Sequence, residues 1–118
     1  MGKHGVGLMQ HEIDVMLALD FIRDNATKLA QAKANRVYIE EARKTLKARL
    51  MKSSGQEAIG AQEREAYAHE SYAQHLRALQ AAVEEEEALR WLMVAAQAKV
   101  DVWRSLNASN RAIDRAAA

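Results

Sequence analysis

Four histidines, a run of four glutamates, two tryptophans and a cluster of lysines and arginines are the residues of this 118-residue chain best suited to chemistry. His4, His11, His69 and His75 are scattered. His69 and His75 stand six apart, so one helical face cannot offer both to a metal. The Glu-x-x-His pair of di-iron bundles does not occur. The chain has no cysteine for a thiolate site or a disulfide. Glu84, Glu85, Glu86 and Glu87 point in different directions around a helix, which excludes a catalytic carboxylate pair. They read as a solvated face, or as an acidic patch against a basic partner. No phosphate-binding glycine motif, G-x-S-x-G elbow or H-E-x-x-H is present. Without a convergent polar set, no enzyme activity, metal or cofactor is expected.

The basic residues carry more. The net charge is only +1, but it is strongly segregated. Residues 1–27 carry net −2, residues 28–52 net +6, residues 53–89 net −6 and residues 90–118 net +3. The +6 segment holds Lys28, Lys33, Arg36, Arg43, Lys44, Lys47, Arg49 and Lys52 against two acids. A basic stretch facing solvent is a footprint for nucleic acid or another polyanion. It can equally be a solvated face whose cations pair with the acidic segment of a neighbour. Tyr38, Tyr67 and Tyr72 stand near this end for base stacking, or for packing.

The elements that must position these residues are helices. Apolar residues make up 49% and charged residues 28%, with no proline and five glycines. So few turn formers exclude a sandwich or barrel. From about residue 9 to 52 an apolar stripe runs Val15, Leu19, Ile22, Ala26, Leu29, Ala32, Ile39, Ala42, Leu46, Leu50 at helical spacing. Arg36 interrupts it and suggests a register change; Asn25 suggests a bend. Ser53-Ser54-Gly55 breaks the pattern. Ser54 with Glu57 and Ser71 with Gln74 have capping-box spacing, predicting a short helix over 56–69 and a third over about 72–115. The third stripe is Leu76, Leu79, Val83, Leu89, Leu92 or Met93, Ala96, Val100 and Trp103. Trp91 lies about 120° from Trp103 around that helix, at a rim or interface. Surface pairs Glu40–Lys44 and Glu86–Arg90 have the favoured order.

The expected fold is therefore all-α: two long helices in an antiparallel hairpin joined by a short one. It forms a single helical domain over 1–118, with a flexible tail at 1–8 and loops at 53–56 and 69–72. Such a hairpin buries little, so assembly into a helical oligomer is expected. The start of the chain lacks the apolar run of a signal peptide. Val6 stands where a myristoylation motif has Ser or Thr. No 18-residue apolar run suggests a membrane span. A cytoplasmic protein is expected, of an infected bacterial host if phage-encoded.

The run from Tyr38 to Leu50, Tyr-Ile-Glu-Glu-Ala-Arg-Lys-Thr-Leu-Lys-Ala-Arg-Leu, leads into a Ser-Gly loop, then an acidic segment, then a late helix ending near Asn110-Arg111-Ala112. This order resembles the UvsY recombination mediators of tailed phages and the short UvsY-like proteins of phage genomes. The resemblance covers about residues 35–116, and Leu46-Lys47-Ala48-Arg49-Leu50 is its most specific part. It implies a protein that binds single-stranded DNA and forms a closed homo-oligomer of six or seven subunits. It also implies that the protein helps a RecA-like recombinase displace the single-strand-binding protein. By the same resemblance Lys47 and Arg49 contact DNA, and the late helix places Leu89, Leu92, Ala96, Val100 and Trp103 in subunit contacts. Arg43, Lys44 and Lys52 join the DNA set on electrostatic grounds. The alternative is a structural or adaptor coiled-coil protein of a phage, oligomeric and without nucleic-acid binding.

Overall fold

The computed structural model describes residues 3–118, with side chains from residue 10 onward. Three helices account for almost all of them: α1 (Lys3–Lys52), α2 (Ile59–Ala68) and α3 (Glu70–Ala117). No strand occurs among the described residues. The tail expected over residues 1–8 falls on positions that are undescribed or lack described side chains, and α1 begins at Lys3.

Neither Asn25 nor Arg36 interrupts α1. Asn25 stays within the helix and donates from Nδ2 to the Phe21 carbonyl at 2.9 Å. One row of shielded positions in α1 runs 15, 18, 22, 25, 29, 32, 36, 39, 43, 46, 50, in alternating steps of three and four, with 14, 20, 21, 42, 47 and 51 part-buried beside it. Those of α3 run 72, 75, 79, 82, 86, 89, 93, 96, 100, 103, 107, 110 in the same rhythm. This is a seven-residue repeat, the spacing that keeps one seam of a helix against a partner. It is narrower than the expected stripe. Leu19, Ala26, Leu76 and Val83 fall outside it and are exposed.

Contacts gather the chain into two compact units, Met1–Lys28 with Leu89–Ala118, and Leu29–Ala88. In the first, Val15 and Ala18 of α1 pack on Val100 and Ala96 of α3, with Phe21, Ile22 and Trp103 against them. The lower number of α1 meets the higher of α3, so the helices run antiparallel. In the second, Ala32, Ala82 and Ala66 are buried, and α2 lies between the two long segments in sequence. Small side chains at a helix contact allow close axes. They also make a thin core: no large described side chain is fully buried.

The connections differ from the capping-box expectation. α2 starts at Ile59 rather than near residue 56, and its N-cap is Ala58, without a side-chain cap. Ser54 instead closes the end of α1, its Oγ donating to the Met51 carbonyl at 2.8 Å and accepting from the Gln56 amide at 3.2 Å. Gly55 follows with φ +75, a conformation glycine adopts without Cβ strain. The loop expected at 69–72 shrinks to His69, which ends α2 in extended conformation. Its Nδ1 accepts the Ser71 amide at 3.0 Å, so His69, not Ser71, caps α3.

Candidate nucleic-acid interface

The C-terminal half of α1 carries the +6 segment, and its cations divide by what they meet. Arg36 sits on the seam and pairs with Glu86 of α3, one contact at 3.1 Å between Nη2 and Oε1 and a second through Nε. It also holds Glu40 at 2.9 Å. Glu86 is 9% exposed, so the glutamate run is not wholly a solvated face. Both flanking carboxylates hold the Arg36 guanidinium protonated more firmly than usual, Glu86 first. Lys44 pairs with Glu41 at 3.0 Å rather than following the expected Glu40 pairing.

Lys47 reaches toward α2. Its Nζ lies 3.5 Å from Glu63 Oε1 and 4.9 Å from the centre of the Tyr67 ring. The Tyr67 phenol, then the Glu63 carboxylate, raise its pKa against partial burial. Tyr67 meets Tyr72 edge to face at 5.1 Å. These two tyrosines pack, whereas Tyr38 stands 73% exposed.

Arg49 lies elsewhere. Two residues along a helix turn it about 200° from Lys47. It lines an open groove of about 460 Å³ with Tyr38, Glu41, Thr45 and His75. His75 donates from Nε2 to the Ile39 carbonyl at 2.6 Å, which fixes its ring across the seam. Lys47 and Arg49, both given to DNA by the resemblance, thus lie on different flanks of α1. Tyr38, Thr45 and Arg49 are instead spaced at seven and four along one flank of α1. Among the described residues, Lys28, Lys33, Arg43, Arg49 and Lys52 make no ion pair within the chain. Pairing within the chain therefore accounts for three of the eight cations and leaves five.

The groove's usefulness was hidden in the sequence by its composition: a tyrosine, a threonine and an arginine interleaved with Glu41, Ala42 and Leu46 form no motif. The signal was the spacing, once the seam is known. The five residues expected at a subunit interface also separate. Ala96 and Val100 are buried against Val15 and Ala18 of the same chain, and Trp103 packs on that cluster. Leu89 is half-buried on the same seam, and Leu92 alone faces outward. Along this stretch the seam is used within the chain. Trp91 is exposed, with the Arg90 guanidinium 4.8 Å over its ring.

No described helix is long and apolar enough to cross a membrane. Among the described residues no three metal-ligating side chains gather, and His4 lies outside the described side chains. Comparison with known proteins gave no match, whether to a family model, a curated sequence or a solved structure.

Proposed function

We propose that this chain binds single-stranded DNA as a recombination mediator, with the groove around Tyr38, Thr45 and Arg49 as the contact. The observation that carries the binding reading is the exposed Tyr38 in one groove with Arg49, in a segment where five cations have no acidic partner among the described residues. A bare aromatic face stacks any base, and flanking cations take the phosphates. Arg49 and Lys52 share the groove flank by their spacing, and Arg43 lies on the seam beside it. An unstacked single strand fits an open groove of this kind better than a duplex, whose bases are already stacked.

The mediator role follows from the UvsY-like order of the chain. It brings in a RecA-like recombinase, the single-strand-binding protein it displaces and a homo-oligomer that multiplies weak contacts by local concentration. Lys44 and Lys47, held by Glu41 and by Glu63 with Tyr67, contribute to the surface potential more than to direct contact.

The test is fluorescence anisotropy with a labelled poly-dT oligonucleotide at low salt. Wild-type protein is expected to bind, with affinity falling as salt rises. Tyr38→Ala is expected to lose about 1–3 kcal/mol, the worth of one stacked base, and Lys47→Ala to lose less than Arg49→Ala. A protein that ignores the oligonucleotide at low salt overturns the reading and leaves a structural or adaptor coiled coil.

A further inference from the structure

The seven-residue seam uses one face of α3, yet α3 carries a second row with the same rhythm. Leu92, Ala95, Lys99, Val102 and Leu106 recur at alternating steps of three and four, and the row continues through Ser109 to Ile113. Leu92 and Val102 are 53% and 56% exposed. The opposite flank of α3 is polar, with Arg90, Gln97, Asp101 and Arg104 around Val94. On α1, Leu17 and Phe21 meet the second row. Leu17, Phe21, Leu92, Ala95 and Lys99 line one apolar groove of about 250 Å³. Beside it, Asp14, Lys99 and Val102 line a second of about 240 Å³. One broad side of this two-helix layer is thus mostly apolar; besides Lys99 and Asp14, His11 lines the second groove, and the α1 row through Leu17 and Phe21 ends in Asp24 and Lys28.

We propose that this side is the interface for a second copy of the chain, joined face to face about a two-fold axis parallel to the helices. Three features select a second copy. The first is self-complementarity. Rotation about that axis lays α1 of one copy antiparallel on α3 of the other and preserves level along the layer. Lys99 and Asp14 lie at one level, since they line one groove. Each Lys99 therefore meets the second copy's Asp14, and the contact is made twice, as an isologous interface requires. Among the described residues Lys99 makes no ion pair, and Asp14 accepts from the Gln10 side-chain amide at 3.2 Å.

The second feature is size. Residues 10–28 of α1 span about 28 Å at a rise of about 1.5 Å per residue, and two packed helices are about 20 Å wide. The face then covers about 560 Å² per copy and about 1,100 Å² in all, just above the ~1,000 Å² a specific contact needs. The third is the thin core. Two alanine-rich helices leave large side chains part-exposed, whereas four antiparallel helices enclose Leu17, Leu92 and Val102 in a bundle.

The residues of the nucleic-acid groove belong to the other compact unit. Sedimentation equilibrium of the full chain tests the interface. Wild-type protein is expected at twice the 13.2 kDa chain mass, and Leu92→Glu with Val102→Glu at the single mass, with the helical circular dichroism retained. Lys99→Glu is expected to weaken association severalfold, and Lys99→Glu with Asp14→Lys to recover it, which decides the matter even if the glutamate variant loses structure. Arg49→Ala is expected to leave the mass unchanged. A monomeric wild type, or an assembly of any size that persists through both the glutamate pair and the charge reversal, overturns the proposal.

Discussion

Arg36 and Glu86, fifty residues apart, meet as a bidentate pair on the seam between α1 and α3. Each occupies a position in a row where its helix mostly presents apolar or small side chains, with Asn25, Arg43 and His75 among the exceptions. Removing one partner leaves the other charge shielded without its counterpart across the seam, whereas replacing both with apolar groups makes that part of the seam apolar. Arg36→Met is therefore expected to lower the urea midpoint more than Arg36→Met combined with Glu86→Leu. A double variant less stable than either single variant would mean that the pair contributes more than its desolvation costs.

The same pair shows what the sequence could and could not disclose. The helices were legible, because absent proline and apolar spacing leave few alternatives. Arg36 read as a break in the stripe, and the glutamate run as a solvated face or an acidic patch for a basic partner, because each was judged on its own helix. Only the antiparallel register sets them opposite, and a register belongs to two segments at once. The DNA set meets the same geometry in reverse. Lys47 and Arg49 are neighbours in sequence but lie on opposite flanks of the seam, so proximity along the chain suggested a shared surface that a helix forbids. Ala96 and Val100, expected at a subunit interface, are buried against Val15 and Ala18. Composition does not say whether such a face meets its own chain or another.

Two glycines provide opposite expectations from one substitution. Gly55 has φ +75, where a Cβ is strained even though open space surrounds it. Gly55→Ala is expected to cost about 1–2 kcal/mol. Gly60 lies in α2 with nothing within 4 Å of an added Cβ. Gly60→Ala is expected to stabilise by about 0.5–1 kcal/mol, because alanine loses less backbone freedom on entering a helix. Thermal unfolding of the two variants checks both signs. A shift of the same sign in each would sink this account of the connection.

His69 is the one non-helical residue between α2 and α3, and its Nδ1 accepts the Ser71 amide. An N-cap acceptor satisfies an amide that the first turn leaves without a partner. His69→Ala is expected to cost about 1 kcal/mol, and His69→Asp to retain the wild-type value, since aspartate is a strong cap. Denaturant midpoints distinguish these. Equal loss in both variants would show that the imidazole acts by packing and not as an acceptor.

Lys47 gives the fold a pH dependence on the alkaline side. Its folded pKa is raised above the ordinary 10.5, mainly by the Tyr67 phenol and then by Glu63. A raised pKa means the folded state favours the proton, so the contribution is fully present below the unfolded value. It fades as pH climbs through the folded value. Lys47→Met is therefore expected to be less stable than wild type at about pH 8, with the gap narrowing by about pH 11, either side of the ordinary lysine pKa of about 10.4. Comparing the two proteins at each pH cancels the other lysines. A gap that is constant, or that widens with pH, would rule out this ion pair as the cause.

Salt titration separates the two jobs assigned to the groove. A phosphate contact releases counterions from the strand, so each one adds about 0.7 to the slope of log affinity against log salt. Stacking on Tyr38 releases none. Arg49→Ala is thus expected to reduce the slope by about 0.7 while weakening binding. Tyr38→Ala is expected to weaken binding at every salt concentration with the slope unchanged. Lys44→Ala, whose ammonium already holds Glu41, is expected to change the slope by less than Arg49→Ala. If Tyr38→Ala changes the slope and Arg49→Ala does not, the strand does not follow this flank of α1, because the charge that meets the phosphates must then come from another face.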